Sequence, residues 1–254
     1  MQKSFATPDF KEGVAHFVEK RAAARSAAKV KSQLGLEECY RDPNVARYGL
    51  ENVLYPVGSS FIEIVSPTRP GTAAGRFLER HGGRYGYMVI MDCDDPERRQ
   101  RHAESLGVRV ANVIRHGDYL GVQLHPKDTG AAMLEFNRTA GGEDPMGPYS
   151  PAGPDWQRAT SDKSQRRLVA VEIECPDAAA FAAKWGGIME RPVQDLGKNK
   201  YRVALDAGAI NFLPGTQPEA VFAGVELETA APAADASICG VRFRYANLAL
   251  HPES

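Results

Sequence analysis

Phe61-Ile62-Glu63-Ile64-Val65 and Met133-Leu134-Glu135-Phe136 are the two stretches on which the fold turns. Each is a short apolar run with one carboxylate in its middle. In an extended chain alternate residues point the same way. Glu63 therefore shares a face with Phe61 and Val65, while Ile62 and Ile64 take the other. Both faces are apolar, and a carboxylate buried between them needs a partner or a metal. Glu135 shares its face with Met133 and Asn137 in the same way. Each stretch follows a Leu-Gly pair that closes a helix, Leu34-Gly35 and Leu106-Gly107, with Gly where a left-handed residue ends the last turn. From Gly35 to Glu63 is 28 positions, and from Gly107 to Glu135 is 28 again. A fixed internal period outranks local propensity as evidence of fold.

Working outward, the first copy starts at the strand Val14-Ala15-His16-Phe17-Val18. A helix over about 22–34 follows, then a hairpin turning at Val57-Gly58-Ser59-Ser60. The second starts at Tyr87-Met88-Val89-Ile90-Met91. Its helix opens at Asp94-Asp95-Pro96-Glu97, with an acidic cap and Pro in the first turn, and its last hairpin turns at Lys127-Asp128-Thr129-Gly130. A third, weaker copy runs from Leu168–Ile173 through a helix opening at Pro176-Asp177 and ending at Gly186, then to Ile210-Asn211-Phe212-Leu213. There Asn211 stands in for the carboxylate. A fourth would span 221–245 with its helix shrunken almost to nothing. Each full copy reads β-α-β-β-β. The Pro- and Gly-rich stretch 139–165 has no apolar period and reads as a linker or long surface connection. The domains expected are thus 1–138 and 166–254.

The 254 residues carry a net charge of −1, so no broad basic field points to nucleic acid. The basic cluster around Lys20, Arg21, Arg25, Lys29 and Lys31 reads as a solvated helix face. Cys39, Cys93, Cys175 and Cys239 form no CxxC pair, which disfavours a zinc ribbon or a thioredoxin-like site. Reduced thiols in a cytosolic protein are the simplest reading. No apolar run reaches the ~18 residues of a membrane span, and Met-Gln-Lys-Ser-Phe-Ala at the start lacks a signal peptide's apolar core.

The segments Asn52-Val-Leu-Tyr-Pro-Val-Gly-Ser-Ser-Phe-Ile-Glu-Ile-Val-Ser-Pro and Gly121-Val-Gln-Leu-His-Pro-Lys-Asp-Thr-Gly-Ala-Ala-Met-Leu-Glu-Phe, with the Leu-Gly helix ends, resemble the vicinal oxygen chelate superfamily. That group includes glyoxalase I, methylmalonyl-CoA epimerase, extradiol dioxygenases and bleomycin-resistance proteins. The resemblance covers about residues 13–138, and 167–245 more weakly. It implies an α+β fold in which paired β-α-β-β-β modules form cupped mixed sheets, here as two tandem glyoxalase-like domains. It also implies a divalent ion in the cup of metal-using members, held by the first and last strands of each module through two His (or His and Gln) and two carboxylates.

On these positions the metal candidates are Glu63, Glu135 and His16, for Mn, Fe, Ni, Zn or Mg; residues 10–34 can also be read as one long helix, which would make His16 a surface or capping residue. The second module departs from the pattern. Its first strand should offer a His near Tyr87, but Gly82-Gly83-Arg84-Tyr85-Gly86-Tyr87-Met88 has none; Gly86 or Met88 could equally be the matching position. His125, in phase with Gln123, is the candidate proton-moving group, with capping of the turn as its alternative. Tyr85, Tyr87, His116, Tyr119 and Gln123 are candidates for substrate contact. The second half, with no first-strand His, is expected to support the first, closing its sheet or replacing a homodimer partner.

Two functions are open at this stage. One is a metal-dependent lyase, isomerase or dioxygenase whose ion chelates vicinal oxygens of a small metabolite as a Lewis acid, with a nearby group moving a proton. The other is a metal-free binding or resistance protein that uses the same cup for a small molecule. Neither reading involves nucleic acid or membrane.

Overall fold

The computed structural model describes residues 10–18, 23–160, 166–230 and 233–247, with side chains over 26–160, 166–230 and 233–246. The first module comprises β1 (Phe10–Val18), α1 (Ala23–Lys29), β2 (Leu50–Val57) and β3 (Ser60–Pro67). α1 runs on through a wider turn at Val30–Leu34 and stops at Gly35, whose φ of 63° a side chain would resist. Where the expected middle strand would lie, Tyr40 makes a single bridge to Leu54. The helix α2 (Ala73–His81) leads to the second module, which is complete: β4 (Gly86–Cys93), α3 (Pro96–Ser105), β5 (Val110–His116), β6 (Tyr119–Leu124), the short α4 (Pro126–Thr129) and β7 (Met133–Thr139). The third module contributes β8 (Arg167–Cys175), α5 (Ala178–Met189), β9 (Val193–Asp195), β10 (Tyr201–Ala204) and β11 (Ala209–Pro214). The fourth contributes β12 (Val221–Thr229), β13 (Ala236–Ile238) and β14 (Val241–Asn247).

The strand pairing shows why the repeat matters. In the first half β1 pairs with β3 in parallel and with β4 antiparallel, and β4 pairs with β7 in parallel. In the second half β8, β11, β12 and β14 repeat that pattern. Each half is thus two modules placed edge to edge in one cupped mixed sheet, the glyoxalase-like arrangement. The halves join where Phe222 of β12 pairs with Gly86 of β4. A Cβ on Gly86 would sit 2.2 Å from the Phe222 ring, so only glycine permits that approach.

The alternation read from the sequence holds. Ile62, Ile64, Leu134 and Phe136 point to the helix side, into one apolar cluster that continues through Trp185, Phe212 and Phe243 of the second half. Phe61, Met88, Ile90 and Met133 point the other way, into the first cup.

Two elements differ from expectation. α5 passes Gly186 and ends at Met189, with Glu190 as its left-handed cap. Gly186 serves packing instead: a Cβ there would sit 2.9 Å from Val193 and 3.0 Å from the Arg191 carbonyl. The stretch expected as a linker is ordered over 139–160 and packs into the cup. Tyr149, Ala152 and Trp156 are buried there. The Trp156 ring meets Phe61 edge-on at 4.8 Å, and its indole N–H donates to the Gly147 carbonyl at 3.0 Å.

Candidate functional site

The concave face of the first half holds a cavity of about 350 Å³. Its walls include Glu63, Glu135, Tyr87, His116, Tyr119 and Gln123, six of the nine side chains singled out in the sequence. Both carboxylates are deeply buried, Glu63 at 3% and Glu135 at 2% exposure. Each accepts hydrogen bonds from neutral side chains. Asn52 Nδ2 donates to Glu63 Oε1 at 2.7 Å, and Asn52 Oδ1 accepts the backbone N–H of Asp42 at 2.8 Å. The Tyr119 hydroxyl donates to Glu135 Oε1, and Gln123 Nε2 donates to Glu135 Oε2 at 2.7 Å. Asn137 Nδ2 donates in turn to the hydroxyls of Tyr119 (3.0 Å) and Tyr149 (3.2 Å). Gly121 on β6 makes the room, because a Cβ there would lie 2.6 Å from Glu135 Oε1.

Burial first, then the neighbouring charge of Glu135, holds the Tyr119 hydroxyl well above the usual tyrosine range. Tyr149 is raised by burial and by both Glu135 and Glu63, so one hydroxyl feels both carboxylates. These phenols remain protonated donors at neutral pH. The Cys39 thiol, which donates to the Leu54 carbonyl at 3.4 Å, is pushed up to about 12, chiefly by burial.

The backbone register identifies the matching position in the two modules. His16 on β1 pairs with Glu63 on β3, and Ile90 on β4 pairs with Glu135 on β7. The residue that matches His16 in the second module is therefore Ile90, not Tyr87. The Tyr87 ring lies at the edge of the cavity, 5.1 Å from that of Phe77. The side chain of His16 lies outside the described residues.

His125 and Tyr85 are not among the walls of this cavity. His125 follows the end of β6 and caps α4, its Nδ1 accepting the Lys127 amide N–H at 3.2 Å. That is the turn-capping alternative, and it removes His125 as a proton donor to this cavity. Tyr85, at φ 77°, leaves the strand before it enters the cup and turns towards Arg84 and His81. Tyr119 is buried, and His116 is exposed at the rim.

Sequence reasoning missed Asn52, Asn137 and Tyr149 as the polar frame of the carboxylates. Asn52 and Asn137 were signalled as polar residues in phase with the buried face of apolar strands. Tyr149 lies in a stretch with no period and carried no signal.

The second cup keeps the register with other residues. Glu172 on β8 pairs with Asn211 on β11. Arg244 bonds Glu172, Arg242 bonds Glu174 at 2.6 Å, and Arg202 donates to Asn211 Oδ1 at 2.8 Å. Ion pairs thus occupy the ground that ligands would need.

No family profile matches the sequence, and no curated protein matches it. Among solved structures, a hypothetical protein from Staphylococcus aureus is similar at TM-score 0.70 and 13% identity, over 94% of this chain and 98% of that one. That likeness shows the fold over both halves. A Streptomyces coelicolor methylmalonyl-CoA epimerase in complex with 2-nitronate-propionyl-CoA aligns at TM-score 0.44 and 20% identity, over 50% of this chain and 92% of that one. Methylmalonyl-CoA epimerase from Mycobacterium tuberculosis aligns at 0.42 and 17%, over 54% and 91%.

Proposed function

We propose that the first cup is the site of a divalent-metal-dependent enzyme acting on a small metabolite with vicinal oxygens, of lyase, isomerase or dioxygenase type. The observation that carries this reading is the convergence of Glu63 and Glu135 on one cavity from corresponding strands of two modules. Glu63 and Glu135 would hold the ion, with His16 as the third group and the Gln123 amide oxygen within the same walls. Such a set is rich in oxygen and poor in nitrogen because Ile90 offers no donor, which suits Mn or Mg better than Zn or Ni. Two carboxylates in an apolar, buried setting fit a hard cation. When bound, the ion would polarise adjacent oxygens of a substrate. The chain's own contributions are orientation and exclusion of water. Tyr119 and Gln123 fix both oxygens of Glu135, Asn52 fixes Glu63, and Tyr149 and Trp156, both packed on Phe61, close the cup. With His125 outside the cavity, His116 at the rim is the candidate for moving a proton to or from a bound molecule.

The specific observation favouring the alternative, a metal-free small-molecule binder, is Ile90 at the position of the missing imidazole. Titration calorimetry with Mn²⁺ and Zn²⁺ separates the two. The metal reading expects Mn²⁺ binding in the wild type, its loss in Glu135→Gln, and Zn²⁺ affinity raised about tenfold or more in Ile90→His, the effect of one added ligand. Absence of Mn²⁺ binding in the wild type, with no gain in Ile90→His, leaves the binding-protein reading.

A further inference from the structure

A second hollow, about 730 Å³, lies at the seam of the two halves and shares the Tyr87 ring with the first cavity. One of its walls is a single face of α2, with Arg76, Phe77, Arg80 and His81 at helical spacing. Lys127 of α4 and Phe181 of α5 face it from the other side, and among the described residues Glu219 is its only carboxylate. Of the seventeen other arginines whose side chains are described, ten pair with acids, among them Arg41 with Glu38, Arg99 with Glu190, Arg109 with Asp128, Arg191 with Asp206 and Arg242 with Glu174. Here, among the described residues, Arg76 bonds only the Gly71 carbonyl, at 2.6 Å, and neither Arg80 nor Lys127 forms an ion pair. Lys184 adds a fourth cation close by; its ammonium would lie 3.9 Å from a Cβ on Gly130 in the same wall. In a chain whose net charge is −1, this is a local excess of unpaired positive charge held in a concave, partly aromatic wall. A cleft lined by one sign of charge focuses its field on an incoming anion, and guanidinium groups match the geometry of phosphoryl oxygens.

We propose that this hollow is a binding site for the phosphoryl or pyrophosphoryl group of a small phosphorylated molecule, with Arg76, Arg80 and Lys127 as the contacting cations and Phe77 and Phe181 flanking its organic part. The site stands independently of whether the first cup holds a metal. Its test is titration calorimetry of chelator-treated, full-length protein with inorganic pyrophosphate. The expected result is saturable binding that weakens as salt is raised. Affinity should fall about tenfold or more in Arg80→Glu and in Lys127→Glu, and stay unchanged in Glu135→Gln. Both reversals lie at exposed positions, and thermal melts of the variants verify that they fold. Failure to saturate at millimolar pyrophosphate overturns the proposal. So does equal affinity in the wild type and both charge-reversal variants, or a gain of affinity in Glu135→Gln, where removing a negative charge from the first cup would favour an anion bound there.

Discussion

Tyr119 donates to Glu135 and accepts from Asn137, so one hydroxyl ties together the polar side chains of the inner face. Tyr119→Phe leaves both partners short in a buried setting, at a cost of about 1–3 kcal/mol, readable by urea denaturation. The same residue predicts a pH dependence. Its folded pKa is raised above the unfolded value of about 10, so its contribution is complete below pH 10 and is lost as pH rises through the folded pKa. Cys39, raised to about 12, acts in the same direction from about pH 9 upward. Stability measured between pH 8 and 11 should therefore fall, and fall less steeply in Tyr119→Phe; equal slopes would contradict the assignment. At this scale the sequence was informative about Glu63 and Glu135, because a charge inside an apolar alternation is anomalous on its own strand. It said little about who holds them. Asn52 reaches Glu63 across a hairpin, and Tyr149 arrives from outside the repeat altogether. It also misplaced the matching residue of the second module. The resemblance points to the neighbourhood of Tyr87, with Gly86 or Met88 as alternatives, whereas the parallel register of β4 with β7 selects Ile90.

The element whose role changed most is the Pro- and Gly-rich stretch after β7. It reads as a linker because it has no period, yet Trp156 is 1% exposed and packs on Phe61 and the Gly147 carbonyl. Burial by tertiary contact leaves no periodic trace when the element is a chain of turns. Trp156→Ala should cost about 3–5 kcal/mol and open the cup above Phe61. A midpoint of chemical denaturation within error of the wild type would show that the segment does not seal the cup. The strands and helices were far more legible. Their hairpins, the Asp95 and Asp177 caps and the Gly35 and Gly107 stops follow from local chemistry. The α5 stop failed because Gly186 answers a packing demand from Val193 and Arg191 rather than a backbone one.

Across the whole molecule the repeat organises two cups with different fates, one keeping its carboxylates and one filling the matching positions with Arg–Glu pairs. We propose two units, 1–138 and 166–254, joined through 139–165. Their helix sides share one apolar cluster, the Trp185 indole N–H donates to the Thr129 carbonyl at 3.0 Å, and Arg99 reaches Glu190 at 2.7 Å. Such an interface should make the units unfold together. Far-ultraviolet and tryptophan signals, with Trp156 in one cup and Trp185 in α5, should trace a single coincident transition. Two separated transitions would mean that the shared core contributes little. No helix among the described residues is long and apolar enough to cross a membrane. The central claim, that the first cup holds a divalent ion between its two modules, is tested most directly by elemental analysis. Protein purified without a His tag would be measured for Mn, Fe, Ni, Zn and Mg, before and after reconstitution, alongside the double variant Glu63→Gln, Glu135→Gln. The account predicts close to one ion per chain in the wild type and its loss in the double variant. Less than roughly a tenth of an equivalent in the reconstituted wild type, far below what a dedicated metal site retains, would contradict it.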